Sequence, residues 1–351
     1  MVPRCNTTQG RPHVCPFLSL IVPHALLGLL FLINPTTMKR LITLFFALLF
    51  TATLFAGEEE VTLNTPTGDI YGVLLTPDSD TRCPLVIIIA GSGPTDHNGN
   101  TIGSDYRNNS LKMLAEGLAS KGIASIRYDK RGIGRSVAAG KNEEELRFEH
   151  YIDDAAAWAD MFSQDKRFSK IAIAGHSEGS LIGMVAAQKS SAVKAYISIA
   201  GCGSPAHEVI EEQLRQQPEQ IQREAAAINK ELLEGRIVEE VPAYLTALYR
   251  KSVQPYMISW FRYNPAKEIA KLRIPVLILQ GDKDIQVGVK EADRLYLARM
   301  LSSYHVIKGM NHVLKHCEST DMLIQLDTYQ NPELPIKDEL IEYIARFLSS
   351  K

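Results

Sequence analysis

Short runs that are apolar from end to end, separated by helix-forming sequence, set the first limit on what this chain can fold into. The clearest are "PLVIIIAG" at 84–91, "KIAIAG" at 170–175 and "PVLILQG" at 275–281. A strand with one wet face alternates apolar and polar side chains, whereas a run apolar throughout belongs to a strand covered on both faces. Further β-rich runs stand at 69–77, 123–129, 194–201 and 303–309, with helix-like segments at 108–121, 144–164, 179–190, 289–301 and 336–349. Such alternation predicts a mostly parallel sheet wound with right-handed crossovers and carrying helices on both faces. The stretch around 61–75 has no helix inside it and is expected to form an antiparallel edge.

One segment breaks the rhythm. From Ser204 to about Leu272 the sequence is polar and helical, as in "HEVIEEQLRQQPEQIQREAAAINKELLEG". This is too long for an ordinary connection, and we read it as a helical cap inserted between two strands. Its charged faces suit solvent, while its tyrosines and Trp260 are candidates for lining a pocket.

The N-terminal 56 residues differ from the rest. Apolar runs begin at Phe17 and Leu41, the second preceded by Met38-Lys39-Arg40 and followed by "TATLFAG". A basic start, an apolar core and small residues at a cut site describe a secretory signal, with translation starting at Met38 and cleavage after Ala56. Both runs are shorter than the roughly 20 residues a spanning helix needs, which disfavours a membrane anchor. The expectation is an exported protein, periplasmic or secreted, whose mature part is 57–351.

Composition removes several function classes. A formal net charge of −2 gives no electrostatic reason to expect nucleic acid as a partner. Beyond the leader, Cys83, Cys202 and Cys317 are too few and scattered for a zinc site or a disulfide framework. Asp96, Asn98 and Asn100 lack the long loop and terminal Glu of a calcium site, so no metal is expected there. No feature calls for a cofactor, and the oligomeric state is not legible.

Against that background stands Gly175-His176-Ser177-Glu178-Gly179, at the end of one apolar strand and the start of a helix. A Gly-x-Ser-x-Gly turn in this setting strains the serine backbone and presents its hydroxyl at the sheet edge. Such a serine needs a base, and the base an orienting acid, at the ends of later strands. After 275–281 come Asp282 and Asp284; Asp284 lies past the turn, with Val287 returning to the core, while Asp282 suits a turn role. After the last strand His312 lies in the loop, with His305 inside the strand and His316 a helical turn later. The expected triad is Ser177, Asp284 and His312.

With "AGSGPTDHNGN" (90–100), "YDKRGIGRS" (128–136), "GHSEG" (175–179), "GDKDIQV" (281–287) and "GMNH" (309–312) in this order, the chain resembles the α/β-hydrolases, specifically bacterial esterases and serine-aminopeptidase-like hydrolases. The resemblance runs from about residue 60 to the C-terminus and implies an eight-stranded, mostly parallel sheet. Acyl transfer also needs backbone donors for the oxyanion. One is expected from Glu178, after the nucleophile, and another from Ser92, with Gly93 next. Asp129, Arg131 and Arg135 are read as a strand-end turn held by local charge contacts. The activity expected is hydrolysis of a small-molecule carboxylic ester through an acyl-enzyme on Ser177. The alternative is an aminopeptidase or amidase with the same triad, binding its amine through Glu208, Glu211 or Glu212; a hydrolase-like protein that binds without turnover ranks last.

Overall fold

The computed structural model describes residues 57–79 and 81–349, all within one compact unit, Leu54–Lys351. The apolar N-terminal runs, the start at Met38 and the cleavage site after Ala56 lie outside the described residues. Among those described, no helix is long and apolar enough to cross a membrane.

In chain order the elements are β1 Glu58–Thr65, β2 Gly68–Leu75, β3 Cys83–Ile89, α1 Ser110–Ser120, β4 Ala124–Tyr128, α2 Phe148–Phe162, β5 Phe168–His176, α3 Glu178–Lys189 and β6 Val193–Ile199. An insertion follows, with α4 Ala206–Gln213, α5 Glu219–Leu233, α6 Thr246–Tyr249, α7 Gln254–Phe261 and α8 Pro265–Lys271. The chain then completes β7 Val276–Gly281, α9 Val289–Ala298, β8 Ser303–Ile307, α10 Met322–Tyr329 and α11 Asp338–Ser349.

The eight strands form one sheet in the order β1-β2-β4-β3-β5-β6-β7-β8. Pairs β1–β2 and β2–β4 are antiparallel and the rest parallel, so the expected antiparallel edge is present. The side-chain period of two explains why the inner strands are apolar throughout. Along β3, Leu85, Ile87 and Ile89 enter one core with Phe148, Ile152 and Trp158 of α2. Val86 and Ile88 enter the opposite core with Leu114 and Leu118 of α1 and Leu340 and Ile344 of α11. Each such side chain contributes about 1.5–3 kcal/mol on burial. A polar residue at any of these positions would face a dry helix.

Candidate active site

Strand order locates the crevice. The chain passes from β3 outward to β4 and then returns across β3 to β5, leaving β3 and β5 as neighbours whose C-terminal loops diverge. Open α/β sheets bind ligands at such a switch point. Gly91, Ser92 and Gly93 follow β3, and Ser177 follows β5.

Ser177 sits between the last residue of β5 and the first of α3 with φ 56° and ψ −121°. Backbone held there costs of order 1–3 kcal/mol and persists only where the surroundings impose it. The flanking glycines impose it. A Cβ on Gly175 would lie 2.1 Å from the Gly179 carbonyl oxygen, and one on Gly179 would lie 2.4 Å from the Ile89 carbonyl oxygen. The turn is locked further by the Ser177 N–H, which donates to the Ile199 carbonyl at 2.9 Å.

His312 follows β8 and is buried. Its Nδ1 lies 2.8 Å from Asp284 Oδ2. A carboxylate only accepts, so Nδ1 carries a proton, and in the neutral ring that leaves the lone pair on Nε2. Asp284 is itself fixed by four donors: His312, the Gln280 amide at 3.1 Å, and the backbone N–H groups of Gln286 and Val287 at 2.8 and 2.9 Å. Ser177 and His312 line the same cavity, while the Ser177 hydroxyl makes no hydrogen bond among the described residues.

His176 lies under this pair, its ring centroid 4.8 Å from that of His312. Its Nε2–H donates to the His312 carbonyl at 2.8 Å. Burial pushes its pKa down to about 3, and His312 adds to the effect. A neutral ring thus supports the histidine loop without opposing a positive charge on His312.

The oxyanion candidates are held from below. The backbone N–H groups of Ser92, Gly93 and Glu178 have no partner among the described residues. Beside them Lys130, 1% exposed, donates to the Gly91 carbonyl at 2.6 Å and to Glu178 Oε2 at 2.8 Å. The other carboxylate oxygen of Glu178 accepts from the Tyr256 hydroxyl, on α7 of the insertion, at 2.6 Å. One ammonium therefore ties together the loops that carry both expected donors.

The turn at 128–136 accordingly differs from its reading as a purely local device. Asp129 does accept from the Arg135 backbone N–H, at 2.9 Å, and pairs with His97 at 2.7 Å. Arg131, however, pairs with Asp154 of α2, Arg135 with Glu60 of β1, and Lys130 with the crevice. Helix α10 was also missed. It sends Gln325 and Thr328 inward, where they accept from the Asn311 amide at 3.2 and 2.6 Å, and Gln325 donates to the Lys283 carbonyl at 2.9 Å. The neighbours of His312 and of Asp284 are braced by one short helix.

Two cavities meet at Ser92 and Ser177. The larger, about 420 Å³, is also lined by His176 and His312; the smaller, about 70 Å³, by Glu178, Leu181, Cys202 and Trp260. Asp282 accepts from the Gly309 N–H at 2.6 Å, a turn role. His305 stacks on Tyr343, and His316 is exposed beside Glu318. Cys83, Cys202 and Cys317 are free thiols. Asp96 accepts from the N–H groups of Asn98 and Asn100. Glu208, Glu211 and Glu212 line neither cavity; Glu211 accepts from Asn229, and Glu212 pairs with Lys290.

Comparison with known proteins agrees with the fold. Residues 107–256 match the family described as "Serine aminopeptidase, S33", a stretch that contains Ser177 but ends before Asp284 and His312. Esterase EstD of Thermotoga maritima is 27% identical over 303 residues, covering 82% of this chain and 68% of that protein. Among solved structures, Est1E from Butyrivibrio proteoclasticus superposes with a TM-score of 0.54 at 19% identity, covering 83% of this chain and 99% of that one. The acylaminoacyl peptidase of Pyrococcus horikoshii gives 0.53 at 14% identity, covering 87% and 44%. Sheet order, the strained serine turn and the solved structures together give the chain the α/β-hydrolase fold, and its sequence is similar to an esterase and to the serine aminopeptidase family.

Proposed function

We propose that the protein is a carboxylesterase working through an acyl-enzyme on Ser177. The observation that carries this reading is the strained Ser177 on the wall of the cavity that also contains the Asp284-paired His312. Ser177 Oγ attacks the ester carbonyl carbon as its proton passes to His312 Nε2. The carbonyl electron pair moves onto oxygen, where the N–H groups of Glu178 and Ser92, or Gly93, receive it; losing one such donor typically costs about 3–4 kcal/mol of transition-state stabilisation. The carbon–alkoxy bond then breaks with its electrons on the alcohol oxygen, which takes the proton back from His312. Water, deprotonated by His312 in turn, attacks the acyl carbon; the bond to Ser177 Oγ breaks, Oγ takes the proton back from His312, and the acid is released. Asp284 holds the imidazole in one tautomer throughout.

Ser177→Ala is expected to lower turnover of p-nitrophenyl acetate by about 10⁴-fold or more, with an unchanged thermal midpoint. Full activity in that variant would remove the proposal. Labelling of Ser177 by a fluorophosphonate separates an enzyme from a binding protein on the same scaffold.

The matched family's description keeps aminopeptidase as the second reading. An α-ammonium requires a free carboxylate. Glu178 is the acid that touches the smaller cavity, and both its oxygens are engaged by Lys130 and Tyr256. Rates on p-nitrophenyl acetate and proline p-nitroanilide decide between them, and the ester is expected to react faster.

A further inference from the structure

The two cavities that meet at Ser177 differ in size and chemistry, and proton transfer decides which half of an ester enters each. The alcohol oxygen must receive its proton from His312 as the carbon–oxygen bond breaks, so the alcohol lies on the imidazole side. His312 lines the 420 Å³ cleft and not the 70 Å³ pocket. The acyl chain is left with the pocket, which carries Ser92 and Glu178 beside an apolar wall of Leu181, Val209, Ile210, Trp260, Pro265 and Val287.

At 70 Å³ that pocket holds about five water-sized groups. The cleft is a different solvent. Thr95, Thr101, Asn108, Gln213, Gln286 and Tyr329 line it, and among the described residues lining it there is no Asp, Glu, Lys or Arg. Part of this wall is preorganised: the Gln213 amide donates to the Gln286 carbonyl at 3.2 Å, and the Gln286 amide donates to the Tyr329 hydroxyl at 2.8 Å. Tyr106 and Tyr329 meet edge to face, with centroids 6.3 Å apart. Uncharged amides and hydroxyls with aromatic rings at hand suit a neutral guest rich in hydroxyl groups. An ammonium or carboxylate would enter without a counter-charge, and a hydrocarbon would strip water from these groups without replacing its hydrogen bonds.

Resting on the acyl-enzyme reading above, we propose that the substrate is a short-chain ester of a neutral polyhydroxylated alcohol, such as an O-acetylated sugar, with an acyl group of about two to four carbons. The test measures kcat/KM on p-nitrophenyl acetate, butyrate and octanoate, and acetate release from an O-acetylated methyl glucoside against cyclohexylmethyl acetate. Octanoate is expected to fall at least about tenfold below butyrate, and the glucoside ester to exceed the cyclohexylmethyl ester by at least about tenfold. Ile210→Ala and, separately, Val209→Ala enlarge the pocket and are expected to raise the octanoate-to-acetate ratio; either suffices if the other fails to fold. Octanoate matching butyrate, or the two acetates reacting equally, overturns this assignment while leaving the esterase intact. Failure of the wild-type protein on every ester overturns the catalytic reading, and this one with it.

Discussion

An ammonium group shut away from water has to be met by acceptors, and Lys130 is met by the Gly91 carbonyl and the Glu178 carboxylate. Lys130→Met removes both contacts and leaves Glu178 buried with an unmatched charge. Breaking one side of a buried pair typically costs about 3–5 kcal/mol, so a large fall in thermal midpoint is expected. Turnover should fall as well, by about tenfold or more at nearly constant KM, because the loop that carries Ser92 loses its anchor. The double variant Lys130→Met/Glu178→Gln separates the two effects: stability returns in large part while kcat stays low. Recovery of kcat in the double variant would show that the Gly91 contact is dispensable. Ser177, Asp284 and His312, the proposed nucleophile, acid and base, stood out in the sequence because each lies just past the end of a strand. Lys130 did not, because an interior lysine and a surface lysine read alike in one sequence. Tyr256, the other partner of Glu178, is remote along the chain and offers no local signal either.

At the scale of elements, the strand–turn–helix around Ser177 is tight enough to be tested with one methyl group. Gly179→Ala drives a Cβ to 2.4 Å from the Ile89 carbonyl oxygen, which is part of the adjoining strand end and has nowhere to retreat. A loss of several kcal/mol or failure to fold is expected, in line with overpacking and backbone strain acting together. A thermal midpoint within a few degrees of wild type would mean that α3 can slide on the sheet. The inner parallel strands were legible because both their faces are dry. Helix α10 was hidden because its pattern is inverted: Met322, Leu323 and Ile324 are exposed while Gln325 and Thr328 are buried. A search for an apolar face passes over a helix whose inward face is polar. The available clue was Asp321, whose carboxylate accepts from the N–H groups of Leu323 and Ile324 at the helix start.

Across the whole molecule, one apolar core runs from Ile171 and Ile173 of β5, through α2 and α3, to Ile228, Leu232 and Tyr249 of the insertion. The cluster is continuous among the described residues, so sheet and insertion are expected to unfold together. The two tryptophans sit one in each part, Trp158 on α2 and Trp260 on α7, which makes the point measurable. In urea, fluorescence of Trp158→Phe and of Trp260→Phe should each coincide with loss of far-UV circular dichroism of the same variant. Separate transitions would mark the insertion as an independent folding unit. The Tyr256 hydroxyl on Glu178 carries this unity into the chemistry. A recombinant chimera that borrows its lid from another hydrolase would have to bring a phenol, or an equivalent proton donor, to the same spot. Otherwise the graft would leave a bare carboxylate oxygen beside Ser177, however well the new helices covered the crevice.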